Sequence, residues 1–240
     1  MLKINAATKP HEPTTRTKQP IVTGSTVIGV KYNGGVMLAS DTLASYGSLA
    51  RYKDVRRIRK VGNSTIIGAS GEYSDFQSIV EMLDELHQSD VNVDDGYQRN
   101  PSEVHNYLRA VLYNRRNKFN PLWNQVLVAG YTNAPFLGYV DLIGTAYEEN
   151  FIATGFGAYM AIPMIRDRWS PDMEEGEARA LLEDCLRVLF YRDCRASNKI
   201  QIAKATADGT LISEPYELST NWETATFDAR HGGAPDGSSW

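Results

Sequence analysis

Four histidines, two cysteines, one glycine pair and one run of cations carry the chemistry most easily read from residue type, and spacing tests each of them. His11, His87, His105 and His231 fall into no HxxxH or Cys/His pattern, so no metal and no cofactor is expected of them; they read as surface residues. Cys185 and Cys194 stand nine apart in a stretch read as helical. Helical rise separates them by about 13 Å, too far for a disulfide, and a reducing compartment is expected. Gly155-Phe156-Gly157 runs on to Met160 where a dinucleotide fingerprint needs its third glycine, so these glycines read as a tight turn between strand and helix. Asn63-Ser64-Thr65 has the form of a glycosylation acceptor, but it falls in an expected hairpin of a chain without a secretory leader. Arg51, Lys53, Arg56, Arg57, Arg59 and Lys60 could grip a phosphate backbone. Only Tyr52 interleaves them with an aromatic ring, so the run reads as a solvated or subunit-facing edge, and no nucleic-acid partner is expected.

The elements that would position such residues are set by length and pattern. With 240 residues, 42% hydrophobic and 22% charged, the chain can bury a full core, and no linker divides it, so one domain with tails is expected. A net charge of -4 gives no general attraction to nucleic acid or to an anionic membrane. Residues 1–20 are polar and hold no apolar run that would make a secretory or membrane-spanning segment.

From residue 25 the pattern predicts strands over 25–32 and 36–39, joined through Asn33-Gly34-Gly35, and a second pair over 55–61 and 65–69 around Gly62-Asn63. A helix is predicted from Ser74 as its N-cap, with Phe76, Ile79, Val80, Leu83 and Leu86 on one face. A polar connection over 89–100 leads to Pro101 and a second helix carrying Val104, Tyr107, Leu108, Val111 and Leu112. Strands over 125–131, 136–142 and 150–154 come next, then helices over 158–168 and 177–193. Strands over 199–206 and 210–218 close the body. Strands, two helices, strands, two helices, strands is the order of two antiparallel sheets packed face to face with a helix pair on each outer face. The expected class is therefore α+β, a four-layer αββα sandwich.

Within that frame several words resemble those of proteasome beta subunits, which share the N-terminal-nucleophile hydrolase fold. Gly24-Ser25-Thr26-Val27 stands where that family has its Gly-Thr processing junction, followed by Lys31-Tyr32-Asn33-Gly34-Gly35 and Leu38-Ala39-Ser40-Asp41. Further words resemble a non-catalytic member of the family: Gln19-Pro20-Ile21-Val22-Thr23-Gly24, Gly47-Ser48-Leu49, Tyr113-Asn114-Arg115-Arg116, Asn120-Pro121-Leu122-Trp123-Asn124, Thr154-Gly155-Phe156-Gly157 and Tyr191-Arg192-Asp193.

The resemblance implies a mechanism in which an N-terminal threonine hydroxyl attacks while its own freed amine, or a basic neighbour, takes the proton. Carried onto this chain, the nucleophile position falls on Ser25, the two carboxylates on Asp41 and Asp193, the lysine on Arg57, and two serines on Phe156 and Ala196. A serine could act as a weaker nucleophile. A guanidinium, with a pKa above about 12, cannot relay a proton, and Phe156 offers neither donor nor acceptor. No catalytic residue is therefore expected in this degenerate site, and both carboxylates are expected to pair with basic neighbours such as Arg57. The alternative is an active N-terminal-nucleophile peptidase using Ser25.

The resemblance also implies a body over 25–218 between a prosegment, 1–24, trimmed between Arg16 and Thr17, and a C-terminal extension, 219–240. It implies alpha and beta proteasome subunits as partners, in two seven-membered beta rings stacked between alpha rings, in cytoplasm and nucleus. The extension carries Trp222, Phe227 and Trp240 and would reach the opposite beta ring.

Overall fold

The computed structural model describes residues 19–222. In chain order the first block holds β1 (Val22–Gly24), β2 (Val27–Tyr32), β3 (Gly35–Asp41), β4 (Ala44–Tyr46), β5 (Leu49–Tyr52), β6 (Ile58–Val61) and β7 (Thr65–Glu72). Helices α1 (Tyr73–Val93) and α2 (Pro101–Asn117) follow, then β8 (Asn124–Tyr131), β9 (Pro135–Asp141), β10 (Ala146–Glu148) and β11 (Phe151–Ala153). The chain continues through α3 (Gly157–Arg168), α4 (Glu175–Arg192), β12 (Lys199–Thr206), β13 (Gly209–Ile212) and β14 (Tyr216–Glu217).

All strand pairs are antiparallel and they form two sheets. One runs β10-β9-β8-β7-β1-β4-β5, with β6 also on β7; the other runs β11-β2-β3-β12-β13, with β14 also on β12. Gly34, at φ 88, makes the β2–β3 turn that the sequence predicts. Successive apolar residues point into different layers, which is how the sandwich closes. Val27, Leu38, Ile66, Leu127 and Ala203 fill the space between the sheets. Ile67, Val126 and Val128 face Phe76, Leu83, Leu108 and Leu112 of α1 and α2, while Ile28, Val30 and Ile202 face Ile165, Leu182 and Leu186 of α3 and α4. Three apolar layers separate four layers of elements, and the αββα expectation holds.

Several local expectations are corrected. α1 starts at Tyr73 behind an extended Glu72, and Ser74 is not its cap; its hydroxyl donates instead to Glu72 Oε1 at 2.8 Å. The same helix runs on to Val93 through part of the expected connection, and Asp94 in the left-handed region ends it. Strand β6 begins only at Ile58, although the Arg57 carbonyl just before it still accepts from the Ala69 amide at 3.2 Å while its side chain is buried. The strand expected over 210–218 breaks at Pro215, which has no N–H for the ladder, into β13 and β14. Strands β1, β4, β5 and β10 have no counterpart in the sequence reading. Each is three or four residues long, and β5 is exposed throughout, so no alternation marks it.

His105 is buried rather than at the surface. It lies on the inward face of α2 with Pro101, Val104 and Leu108, and its Nε2 donates to the Tyr139 carbonyl at 2.9 Å. Cys185 is buried in α4, whereas Cys194 lies beyond the helix end and is exposed; both are free thiols.

Candidate functional site

Ser25 stands where the chain leaves β1 in one sheet and enters β2 in the other. Around this crossing the fold gathers the end of β3, the residue before β6, the start of α3 and the end of α4, and so brings Ser25, Asp41, Arg57, Phe156, Asp193 and Ala196 into one region; Arg16 and Thr17 lie outside the described residues.

Arg57 lies at the centre, only 1% exposed. Its Nε donates to the Asp41 carbonyl at 3.2 Å, Nη1 to the carbonyls of Ser25 and Ala69 at 3.3 Å each, and Nη2 to the Thr26 carbonyl at 3.0 Å. The remaining Nη2 proton makes the ion pair with Asp41 Oδ1. A guanidinium has five N–H donors, and here every one is engaged. Glycine at position 24 makes room for it: a Cβ there would sit 2.3 Å from Arg57 Cδ. The other Asp41 oxygen accepts from the Ser197 amide at 3.0 Å. Burial pushes the Asp41 carboxyl above its ordinary value, and the Arg57 charge and the amides of Ser197 and Leu43 pull against that.

The hydroxyl of Ser25 does not meet Arg57. It donates to Asp193 Oδ2 at 2.5 Å, and Asp193 Oδ1 accepts from the Arg195 amide at 2.9 Å. The expected pairing of carboxylate with guanidinium is therefore found at Asp41 and not at Asp193, because the donors of Arg57 are already spent elsewhere. Phe156 opens α3 and is 53% exposed. It follows Gly155, whose missing Cβ would lie 3.8 Å from the Ser25 carbonyl carbon. Ala196 contributes only backbone, donating its amide to the Asp193 carbonyl at 3.1 Å.

Four residues that sequence reasoning did not single out hold this geometry. Glu72, buried at the head of α1, accepts from the amides of Ile21 and Val22 and so seats the segment entering β1. The hydroxyl of Thr154 accepts from the Val27 amide at 2.8 Å, and that of Thr26 accepts from the Gly157 amide at 3.0 Å, joining β2 to the start of α3. Ser197 braces Asp41. Only Glu72 had any local signal, a carboxylate placed where a helix N-terminus favours negative charge.

Chemically the arrangement orients one hydroxyl against one carboxylate. While Ser25 remains joined to Gly24 its nitrogen is a peptide amide, its lone pair delocalised and unable to accept a proton. The basic run 51–60 is divided, since Arg57 is buried while Arg51, Lys53, Arg59 and Lys60 are exposed. Among the described residues no group of His, Cys, Asp and Glu could hold a metal ion, and no helix is long and apolar enough to cross a membrane.

The proteasome subunit family model matches residues 21–205. The chain is similar to proteasome subunit beta type-4 of Arabidopsis thaliana, 49% identical over 218 residues that cover 90% of this chain and 89% of that protein. It is 48% identical to the probable proteasome subunit beta type-7 of Schizosaccharomyces pombe, over 89% of this chain and 84% of that one. Against proteasome subunit beta type-7 of Saccharomyces cerevisiae the identity is 43%, over 80% and 76% of the two chains.

Proposed function

This chain belongs to the proteasome subunit family as a beta subunit of the type-4 or type-7 kind, a component of protein degradation that assembles with other proteasome subunits, and from that premise we propose that it is non-catalytic and serves to build the particle. One observation carries the reading: the group at the family's lysine position is a guanidinium with all five donors committed to Asp41 and to backbone carbonyls, none to the Ser25 hydroxyl. A nucleophile needs a base as well as an orienting partner. Arg57 cannot be that base, and the Phe156 side chain has no polar atom.

A second reading keeps Ser25 as a peptidase nucleophile, and the 2.5 Å contact with Asp193 favours it, since a carboxylate can orient a hydroxyl. The two are separated in assembled particles whose three expected active subunits have been inactivated. Fluorogenic peptide cleavage should be at background and unchanged by Ser25→Ala; residual cleavage that the substitution abolishes would overturn the non-catalytic reading.

In this proposal the chain occupies one place in each of two beta rings between alpha rings of a 20S core particle, in cytoplasm and nucleus. A neighbouring subunit trims the prosegment between Arg16 and Thr17, which lie outside the described residues. Seating of Ile21 and Val22 on Glu72 supports a retained segment ahead of Ser25. Intact-mass measurement of the assembled particle should show a chain beginning at Thr17, and a chain beginning at Ser25 or Met1 would remove the idea.

A further inference from the structure

Helix α1 carries five carboxylates, Asp75, Glu81, Asp84, Glu85 and Asp90, and no Lys or Arg. Two are engaged, Asp75 by the Trp123 amide and Asp90 by Arg99. Glu81 and Asp84 are exposed and make no ion pair among the described residues. Both line a groove. Two hollows of about 380 Å³ and 150 Å³ meet at Arg59 and Val80, between α1 on one side and β6 and the end of β13 on the other. The lining is apolar at Ile58, Phe76, Val80 and Ile212. In the larger hollow Gln201 is 3% exposed; its Nε2 donates to the Ser213 carbonyl at 3.0 Å, but its Oε1 has no partner. A buried acceptor of this kind asks for a donor from outside the described chain.

The fold brings one end of the chain to this groove. β6 and β1 lie along the same edge of β7, β6 against residues 65–68 and β1 against Gly71 and Glu72. The near end of the groove is Tyr73, next to the Glu72 that holds the amides of Ile21 and Val22. From Tyr73 to Asp84 the helix rises about 16 Å, a length that roughly five residues of extended chain span. The five residues before Gln19 are Thr14, Thr15, Arg16, Thr17 and Lys18. They bring two cations, no acid and three β-branched side chains that favour extended backbone.

We infer that in the untrimmed chain residues 14–18 lie along this groove as a strap, with Arg16 and Lys18 against Glu81 and Asp84 and a threonine hydroxyl donating to Gln201 Oε1. Arg59 and Lys60 on the β6 side repel the strap's cations and leave them to the α1 side. A segment of another subunit is the rival occupant. The strap is favoured because it starts at the end of the groove, and its anchor at Ile21 and Val22 makes the contact intramolecular. Seated in this way, the bond between Arg16 and Thr17 is held against α1, and its cleavage waits until the strap lifts. That consequence rests on the trimming proposed above.

The test uses the full chain of 240 residues with p-benzoylphenylalanine at position 77, an exposed site in the α1 side of the groove. Irradiation of the untrimmed chain should give an internal crosslink that peptide mass maps to residues 14–18. No crosslink, one to a different segment, or one to another subunit overturns the strap. Glu81→Lys with Asp84→Lys should lower the yield about fivefold, the scale of two exposed ion pairs, and adding Arg16→Glu with Lys18→Glu should restore it. Glu81 and Asp84 are exposed, so the fold tolerates the exchange; a yield unmoved by the first pair, or unrestored by the second, sinks the strap. Intact mass followed during assembly reads the trimming separately. The chain with Glu81→Lys and Asp84→Lys should reach the form beginning at Thr17 about fivefold sooner than the unmodified chain. Equal rates remove the shielding of the bond. A chain that never begins at Thr17 removes the trimming reading, and the crosslink then decides the strap alone.

Discussion

Arg57 takes a full positive charge out of water, and that is tolerable only because each donor has an acceptor and Asp41 supplies the opposite charge. Breaking a buried pair by neutralising one partner strands the other, which costs about 3–5 kcal/mol. Asp41→Asn should therefore destabilise the purified chain by about that amount in urea unfolding, and adding Arg57→Met should recover part of the loss. A loss below about 1 kcal/mol, the scale of an exposed pair, would show that the two charges are not mutually dependent. At this scale the sequence made the identities of Ser25, Asp41, Arg57, Phe156 and Asp193 legible, but not their partners. That Gly24 must be glycine for Arg57 to pass beneath it is a steric fact between residues far apart in sequence, and nothing local announces it. The misassigned partner of Asp193 has the same origin: a count of donors requires coordinates.

Helices were the most legible elements, since α1, α2 and α4 each repeat apolar residues at helical spacing over many turns. Short strands were not, because three residues cannot display a period, and β1 and β4 are defined by what they pair with. The two cysteines show how an element boundary changes chemistry. Read as one helix they fall on opposite faces, nine residues being about two and a half turns; with α4 ending at Arg192, Cys194 leaves the helix altogether, and one faces the core and the other water. Burial pushes the Cys185 thiol up to about 12, so its reactive thiolate is absent at ordinary pH and appears only as pH approaches that value. Iodoacetamide at about pH 8 should add one label to the folded chain, at Cys194, and a second only after guanidinium unfolding, as read by intact mass. Two rapid additions to the folded chain would contradict the packing of α4.

At the scale of the whole molecule, the described residues end on the start of the C-terminal extension, and that start is fastened to α4. Arg187 donates to the Ser219 carbonyl at 3.0 Å, the Asn221 amide donates to the Tyr191 hydroxyl at 2.7 Å, and Trp222 stands edge-on to Tyr191 and Phe190 at 4.9 and 5.7 Å. Phe227 and Trp240 lie outside the described residues. An extension leaving from a fixed point can reach only what lies near that point, and its proposed role toward the opposite beta ring is open to test. Deleting residues 219–240 should slow the joining of half-particles on native gels; unchanged kinetics would remove that role. The order of layers was legible from the order of elements, whereas the crossing of the chain between sheets at Ser25 was not, because the strand before it went unrecognised. That crossing places two incompatible demands on a single bond. β1 is stitched between β7 and β4, a position that suits an unbroken chain, whereas an N-terminal nucleophile exists only after the bond from Gly24 to Ser25 has been cut. A threonine at position 25, or a lysine at position 57, supplies no free amine by itself; that group comes only with cleavage of this bond.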